Sequence, residues 1–524
     1  MAKKFDLSKS KALPCTFLIL SVVAAILFRC CRTSWVFIGN TLGSQAMPVI
    51  LLFLMIAFSV LLGILSVLRL NGSEFCHKKA YKTLLITGCA FSSVLFLFSF
   101  IYTIGYAPGE EAELFTIYLK RTLAEGTFLL LIPFFTIFYP KLCAKAKKTV
   151  TVLSLAAAVL FAVNAFFPLT SYKITSDPLV IDNGSEYSIV FSTNDKGTAW
   201  VEYTFEGKDY KIYDNTGGRL NGDSEIHSIS VPYEHLRNNT YKVSSTRVTE
   251  EFSYGSRSGK TVISAEYDFK YNNSDNQTWL VISDWHTKLE AAYEAIGKVT
   301  DNYNAVILLG DAVPGVDFEQ QVITNIVEFG GNVSGGTRPV LYVRGNHETR
   351  GAYAKDLPTA LGMDKFYYTS DIGPYSFVVL DSGEDKEDSH IEYGGMNDYN
   401  TYRADMIEWL KGTKVESKKV IALSHAWQIS QVEPELSAAG WAELDRLGTS
   451  LIISGHEHNC RFLGESSEYE KELKEKYPDI TGYIDGGKMN DGYVASLLTL
   501  NEKGFEIKAT DNAGNEIMNE KFDW

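Results

Sequence analysis

The stretch LYVRGNHETR, residues 341–350, joins an apolar run to a polar cluster within a few residues. The run VLYV (340–343) is typical of a buried strand, and Gly345 suits a tight turn at the end of that strand. An amide, an imidazole and a carboxylate follow the turn, from Asn346, His347 and Glu348. Because functional groups in layered α/β sheets gather just past the carboxyl ends of strands, this stretch predicts a site at such an edge.

Similar short apolar runs recur along the chain after residue 277. They are WLVIS (279–283), AVILL (305–309), FVVL (377–380), VIAL (420–423) and LIIS (451–454). Amphipathic segments at 288–299 and 318–329 lie between some of them, so predicted strands alternate with predicted helices. This alternation predicts an α/β domain whose sheet is buried on both faces.

Residues that bind metals well follow most of these predicted strands. Five of the nine histidines lie there, with two aspartates and one asparagine: Asp284, His286, Asp311, Asn346, His347, His425, His456 and His458. A single Asp or His after a strand usually caps a helix or packs a loop, but capping does not select imidazole, carboxylate and amide repeatedly. Oxygen and nitrogen ligands without thiolate suit Mn²⁺, Fe or Zn²⁺, and seven such side chains serve two ions if one carboxylate bridges them.

The order D-x-H, GD, GNHE, H and GHEH resembles that of the calcineurin-like metallophosphoesterases, and the resemblance covers about residues 175–524. It implies a metallophosphoesterase domain over residues 276–524, an α/β fold of four layers in which helices flank a core of two sheets. It also implies a hydrolase of phosphoric esters, a phosphatase or a phosphodiesterase, that uses a metal-bound hydroxide. The cofactors implied are two divalent or trivalent ions of Mn, Fe or Zn.

The resemblance further implies a role for each residue of the pattern. One ion would take Asp284, His286, Asp311 and His458, and the other Asp311, Asn346, His425 and His456. Asp311 would then bridge the two ions. His347, beside a ligand but not itself a ligand, would stabilise the transition state or protonate the leaving oxygen, and Glu348 would orient or tune it.

Residues 174–275 have a different pattern, in which short alternating runs such as EYSIVFS and AWVEYTF are separated by turn-rich NDKG and DNTGG. This pattern predicts a small β-sandwich. The segment is similar to the N-terminal, fibronectin III-like domain of the purple acid phosphatase-like branch. The chain departs from that branch at two positions, since Pro314 replaces a metal-bound tyrosine and His286 replaces a glycine. The identity of the metals therefore stays open.

The first 173 residues are apolar and basic, with 17 Lys and Arg against 6 Asp and Glu. Five apolar segments, at roughly 13–28, 46–68, 83–104, 122–139 and 149–169, are close to the ~20 residues that a membrane span requires, and the first and fourth are short. They predict a membrane α-helical bundle over residues 1–173. Basic residues collect at the N-terminus and in the second and fourth loops, which predicts a multi-pass protein with a cytoplasmic N-terminus and an extracytoplasmic catalytic domain.

The remaining residues are acidic, with 32 Lys and Arg against 57 Asp and Glu. This balance argues against nucleic acid polymers as partners and leaves phosphorylated small molecules or lipids as substrates, beside the lipid bilayer. The alternative function is a membrane sensor or transporter whose outer domain binds a phosphorylated ligand without turnover. The acidic insert at 382–400 is read first as a solvated loop, although His390 and Tyr393 could line a substrate pocket.

Overall fold

The computed structural model describes residues 171–524, apart from 253, 254, 301, 465, 490 and 491, and scattered parts of residues 57–152. The chain divides into two compact units, Met1–Ser171 and Tyr172–Trp524. In the first unit, a 3-10 helix spans Glu74–His77, and the Ser73 hydroxyl accepts a hydrogen bond from the Phe75 N–H at its start. The Tyr81 hydroxyl, four residues after this helix, donates to the carbonyl of Leu65.

Within the described residues, no helix combines the length and the apolar composition that crossing a bilayer requires. This finding corrects the predicted membrane α-helical bundle over residues 1–173. It also corrects the multi-pass location with a cytoplasmic N-terminus and an extracytoplasmic catalytic domain, because basic loops orient a chain only if it has spans. The predicted segments 13–28 and 122–139 lie wholly outside the described residues, and the other three lie partly outside them.

The second unit begins with ten strands and one short helix. They are β1 (Leu179–Asp182), β2 (Tyr187–Ser192), β3 (Gly197–Phe205), β4 (Lys208–Tyr213), β5 (Asn215–Thr216), β6 (Arg219–Leu220), β7 (Ile226–Val231), α1 (Tyr233–Leu236), β8 (Thr240–Phe252), β9 (Gly255–Ile263) and β10 (Tyr267–Asp268). One face of β1, β2 and β7 packs against β3 and β8 through a buried apolar cluster that includes Ile189, Val201 and Val243. Two layers of strands therefore enclose this part of the core.

Thirteen strands and seven α-helices follow. The strands are β11 (Gln277–Ile282), β12 (Ala305–Leu308), β13 (Val340–Tyr342), β14 (Tyr368–Ile372), β15 (Tyr375–Leu380), β16 (Lys419–Ser424), β17 (Thr449–Ser454), β18 (Arg461–Phe462), β19 (Thr481–Ile484), β20 (Gly487–Met489), β21 (Gly492–Leu500), β22 (Gly504–Asp511) and β23 (Glu516–Asp523). The helices are α2 (Leu289–Val299), α3 (Glu319–Val322), α4 (Phe329–Ser334), α5 (Leu357–Leu361), α6 (Tyr399–Gly412), α7 (Pro434–Arg446) and α8 (Glu468–Lys476), with a π-helix at Ile323–Glu328 between α3 and α4. Short 3-10 turns lie at His347–Thr349 and Ile391–Tyr393.

These strands form two core sheets. The first core sheet has the order β23-β22-β21-β11-β12-β13-β1-β2-β7, with β20 paired to β21, and the second core sheet has the order β14-β15-β16-β17-β19-β18. Strands β11, β12 and β13 are parallel, as are β15, β16, β17 and β19. The carboxyl ends of several strands in each sheet therefore reach the same edge.

Strands β1, β2 and β7 extend the first core sheet beyond β13. Ile181 of β1 pairs with Val340 of β13 in parallel orientation, and β2 and β7 continue the sheet in antiparallel orientation. The segment for which the sequence predicts a β-sandwich thus shares a sheet with the segment for which it predicts the α/β domain.

The two core sheets pack face to face, with helices on their outer faces. Side-chain alternation along β15 shows why, since Phe377 and Val379 point toward the first core sheet while Val378 and Leu380 pack under α6 and α7. Trp279 of β11 and Phe377 meet between the sheets, with ring centroids 4.5 Å apart. The α/β domain is therefore layered as helix, sheet, sheet and helix, as predicted for its core.

Candidate metal centre

The seven predicted metal ligands all follow strands of the two core sheets. Asp284 and His286 follow β11, Asp311 follows β12 and Asn346 follows β13; in the second sheet His425 follows β16, and His456 and His458 follow β17. Six of them, together with His347, form three overlapping groups whose ligand atoms lie within 4.8 Å of one another: Asp284 with His286 and His458, His286 with Asp311 and His347, and Asp311 with His425 and His456. The sheets thus bring together residues up to 174 positions apart in the sequence.

The first half of the centre consists of Asp284, His286 and His458. The Nε2 atoms of the two histidines lie 3.1 Å apart. Asp284 Oδ1 lies 3.3 Å from His458 Nε2 and 3.9 Å from His286 Nε2. Three ligand atoms of different side chains therefore converge on one point.

The second half consists of Asp311, Asn346, His425 and His456. Asp311 Oδ2 lies 3.2 Å from His425 Nε2, and the Asn346 amide lies 3.1 Å from His456 Nδ1. The same Asp311 oxygen lies 3.6 Å from His286 Nε2, in the first half. Asp311 thus faces both halves, which is the placement that a bridging carboxylate requires.

The donor set fits cations. Asp284 Oδ1 is buried and has no hydrogen-bond partner among the described residues. The Asn346 side chain lies beside three ligand atoms, with His456 Nδ1 at 3.1 Å and both His425 Nε2 and Asp311 Oδ2 at 3.3 Å from its nitrogen when the amide is oriented to donate to them. Burying the unpartnered Asp284 carboxylate oxygen is costly unless a cation neutralises it.

Five of the seven predicted ligands have left-handed backbone conformations, with φ of 48° at Asp284, 39° at His286, 56° at Asp311, 70° at His456 and 51° at His458. Such conformations are uncommon outside glycine, although Asp and His tolerate them better than most residues. Strain of this kind costs roughly 1–3 kcal/mol per residue and clusters at functional sites. The strained backbone at these residues therefore directs their side chains toward one point.

Glu348 holds two of the ligand-bearing loops together. Its carboxylate is fully buried and accepts hydrogen bonds from the backbone N–H groups of Asp311 at 2.8 Å, Ala312 at 2.5 Å and Gly345 at 2.8 Å. Burial and the nearby Asp311 carboxylate raise the pKa of Glu348 to about 7. Its contacts join the loop after β12 to the loop after β13.

The same two loops approach so closely that side chains are excluded at their glycines. A Cβ on Gly310 would overlap the backbone nitrogen of Gly345, and a Cβ on Gly345 would overlap the Asp311 carboxylate. Glycine at both positions allows Asp311 and Asn346 to lie side by side.

His347 lies at the rim of the centre. Its Nδ1 lies 2.8 Å from the Pro314 carbonyl, and because a carbonyl only accepts, Nδ1 donates and Nε2 is left facing the site. Nε2 lies 3.9 Å from Asp311 Oδ2, and the side chain is 26% exposed. His347 is therefore accessible to a ligand on the open side of the centre.

Burial and neighbouring charges give the histidines of the centre different pKa values. Burial lowers the pKa of His286 to about 4, and burial with the neighbouring His425 ring lowers that of His456 to about 4. Burial also opposes the charged form of His425, but the Asp311 carboxylate raises its pKa to about 10. The Leu309 carbonyl accepts from His425 Nδ1 at 2.5 Å and so aims Nε2 at Asp311. Orientation of a ligand histidine through its second nitrogen is typical of metal sites.

Arg350 is a residue of this site that the sequence pattern did not single out. Its guanidinium binds the carboxylates of Glu384 at 2.5 Å and Asp385 at 2.8 Å, and Nη1 lies 3.4 Å from His347 Nε2. The signal available was its position three residues after His347, on the same side of a helical turn. Its acidic partners lie 34 and 35 residues away, in the insert.

Residues 278–460 match the sequence model of the calcineurin-like phosphoesterase family. This range contains all seven predicted ligands, His347 and Glu348. Residues 278–460 are a calcineurin-like phosphoesterase domain. The chain is accordingly a metal-dependent phosphoester hydrolase, and its domain implies divalent metal ions.

Several solved structures are similar to the chain at low sequence identity. PhoD is 10% identical with a TM-score of 0.41, and the match covers 67% of this chain and 90% of PhoD. GAP50, the anchor in the inner membrane complex of Plasmodium, is 14% identical with a TM-score of 0.33 and coverage of 48% and 89%. A protein serine/threonine phosphatase from Saccharomyces cerevisiae is 10% identical with a TM-score of 0.23 and coverage of 48% and 82%. No curated protein sequence matches the chain significantly.

Proposed function

We propose that the calcineurin-like phosphoesterase domain hydrolyses phosphoric esters at a dinuclear metal centre with Asp311 as the shared ligand. The convergence of Asp311 Oδ2 on His286 in one half and His425 in the other carries this proposal. One ion would be held by Asp284, His286, Asp311 and His458, and the second by Asp311, Asn346, His425 and His456. When bound, two such ions polarise the phosphoryl oxygens and activate water as the nucleophile.

In the proposed reaction one water molecule is consumed. The water oxygen bonds to phosphorus, the ester P–O bond breaks and the leaving oxygen becomes an alcohol. His347, protonated on both ring nitrogens, would give its Nε2 proton to that oxygen, and the proton released by the attacking water would pass to solvent, from which the ring is protonated again. Two contacts support this role, because the Pro314 carbonyl fixes Nδ1 as a donor and Nε2 faces the open side of the centre.

Glu348 and Arg350 have positioning roles in this proposal. Glu348 touches only backbone donors of the ligand loops, so it would hold Asp311 in place instead of contacting substrate. Arg350 is fixed by Glu384 and Asp385, which keeps its guanidinium beside His347. Its Nη1, which neither carboxylate binds, lies beside His347 and would donate a hydrogen bond to a phosphoryl oxygen there.

The test is turnover by the purified full chain with a phosphomonoester, a phosphodiester and a lipid phosphate, each with Mn²⁺, Fe²⁺ or Zn²⁺. We expect hydrolysis of at least one ester class, and loss of that activity in His458→Ala. His235→Ala is the matched control, because His235 contacts Tyr203 in the strands before β11 and should leave turnover unchanged. If the chain binds metals and phosphoesters but hydrolyses none, it is a binding protein and the proposal fails.

A further inference from the structure

The loop after β17 carries a carboxylate that is not one of the predicted ligands. Glu457 lies between His456 and His458, which are predicted to bind different ions. Its Oε1 accepts a hydrogen bond from the indole N–H of Trp427 at 2.6 Å, and its Oε2 accepts two from Arg461 at 2.6 and 3.0 Å. Protein donors therefore occupy both oxygens of Glu457, which belongs to none of the three groups of converging ligand atoms.

Trp427 connects this carboxylate to the loop after β16. It follows the predicted ligand His425 by two residues, and its side chain is almost fully buried. Its carbonyl accepts a hydrogen bond from the indole N–H of Trp441 in α7 at 3.2 Å, and its ring centroid lies 5.9 Å from that of Tyr469 in α8. Trp427 is thus held by two helices, and its bond to Glu457 joins the loops after β16 and β17.

Arg461 connects Glu457 to α8. Its guanidinium also donates to both oxygens of the buried Glu470, at 2.8 and 2.9 Å. One of these oxygens accepts as well from the backbone N–H groups of Gly464 at 3.0 Å and Ser466 at 3.3 Å. A planar guanidinium that binds two carboxylates fixes the position of both, because its donors form a rigid fork. Glu457 is therefore anchored to a buried residue of α8.

The backbone on either side of Glu457 is strained. His456 and His458 have φ of 70° and 51°, in the left-handed region. Residues held in such conformations persist when the surrounding structure over-determines them. Contacts of the residue between the two histidines limit how far either of them can relax. The anchoring of Glu457 therefore bears on one predicted ligand of each ion.

We propose that Glu457 is a positioning residue for both metal ions, and that Trp427 and Arg461 hold it in place through its two oxygens. The inference rests on the proposed function, because it concerns the same dinuclear centre. Glu348 has the corresponding place in the first core sheet, where its carboxylate joins the loops after β12 and β13. Each core sheet thus has one glutamate that joins its ligand-bearing loops.

The test is the Zn²⁺ affinity of the metal-free full chain, measured by competition with a chromophoric chelator. Glu457→Gln leaves one accepting oxygen for two donor side chains, and Trp427→Phe removes one of the donors. Each variant should raise the dissociation constants of both ions by about 10- to 100-fold, the range for residues that orient metal ligands. The visible spectrum of the Co²⁺-loaded chain should also change, because it reports the geometry of the ligands.

Arg446→Gln is the matched control. Arg446 ends α7, and its guanidinium binds the Glu443 carboxylate and the carbonyls of Leu410 and Thr413. Strand β17 begins just after it, so Arg446 lies near the amino end of a strand whose carboxyl end leads to the ligands. This variant should lower the free energy of unfolding but leave the Zn²⁺ affinity and the Co²⁺ spectrum unchanged.

Unchanged dissociation constants or Co²⁺ spectra in either variant would overturn the inference, as would a rise for one ion alone. An equal rise in Arg446→Gln would also overturn it, because the effect would then be a general loss of stability. In these cases the wild-type chain still binds two ions, so the proposed function stands. A wild-type chain that binds fewer than two ions would instead refute the dinuclear centre, and the positioning role with it.

Discussion

Asp311 is the residue that faces both halves of the candidate metal centre. Its Oδ2 faces His286 and His425, and its Oδ1 accepts from the backbone N–H of His347. The resemblance carried by the order of the motifs predicted this place for Asp311 between the halves, and it predicted the other six residues as ligands too. Side chains that directly follow strands are predictable, because the carboxyl ends of neighbouring parallel strands meet at one edge.

The sequence did not predict the ion pairs that Arg350 forms with Glu384 and Asp385. Their ion pairs join a loop after β13 to the insert after β15, and nothing in the spacing of the residues indicates that these loops meet. The default interpretation of the insert as a solvated loop is accurate for Ile391 but not for Glu384, which is buried.

Asp311→Asn should lower occupancy of both metal sites, because a neutral amide replaces the carboxylate whose Oδ2 faces both halves of the centre. His286→Ala should mainly empty one site, since that ring belongs to one half of the centre. Elemental analysis of protein purified without chelator gives the number of ions per chain. Two ions retained in Asp311→Asn would contradict the shared-ligand arrangement.

His347→Asn should leave both ions bound and lower kcat by about two to four orders of magnitude, the range for loss of a general acid. The effect should be smaller for nitrophenyl esters, because a nitrophenolate leaves without needing a proton. Steady-state kinetics on an alkyl ester and a nitrophenyl ester measure the difference. An equal loss on both esters would instead assign His347 to electrostatic stabilisation of the transition state.

At the scale of elements, the apolar runs located the strands well. The runs 279–283, 305–309 and 340–343 correspond to β11, β12 and β13 within two residues, and the amphipathic segment 288–299 corresponds to α2. The predicted helix at 318–329 is different, because the structure has α3, a π-helix and α4 over Glu319–Ser334. The carbonyl of Asn325 in the π-helix accepts a hydrogen bond from the indole N–H of Trp285, 40 residues away. Such a distant donor cannot be read from helical periodicity.

Trp285 lies between the predicted ligands Asp284 and His286, so its bond to the π-helix also fixes their strained backbone. Trp285→Phe should lower the free energy of unfolding by about 0.5–1.5 kcal/mol, because it removes this buried hydrogen bond to the Asn325 carbonyl. It should also weaken metal binding. Urea unfolding and competition with a chelator measure the two effects. Trp409→Phe, at a half-buried residue of α6, is the control; an equal or larger loss there would show that Trp285 has no special role.

In the whole chain, changes of residue pattern predicted the domain boundaries, and the first core sheet crosses one of them. The boundary predicted near residue 275 falls between strands that share the first core sheet. Parallel pairing of Ile181 with Val340 joins positions 159 residues apart, and no local pattern encodes such a contact. Hydrogen bonds to the buried Asp182 carboxylate also cross the boundary near residue 275. One donor is Tyr233, which precedes that boundary, and the other is Ser370, which follows it.

This arrangement predicts that residues 276–524 do not form a stable domain alone. Without β1, the edge of β13 loses its partner and becomes an exposed apolar strand, and the buried side chains of β1 and β2 leave the core open. We expect residues 276–524 to be insoluble or to unfold without cooperativity, whereas residues 172–524 should unfold in one transition. Removal of residues 516–524 is the control, because it deletes β23, the mostly exposed strand at the other edge of the same sheet, and should cost much less stability. Thermal unfolding monitored by circular dichroism compares the three fragments. A cooperative transition of residues 276–524 at the melting temperature of the longer fragment would mean that the shared sheet contributes little, and that the boundary near residue 275 separates two independent domains.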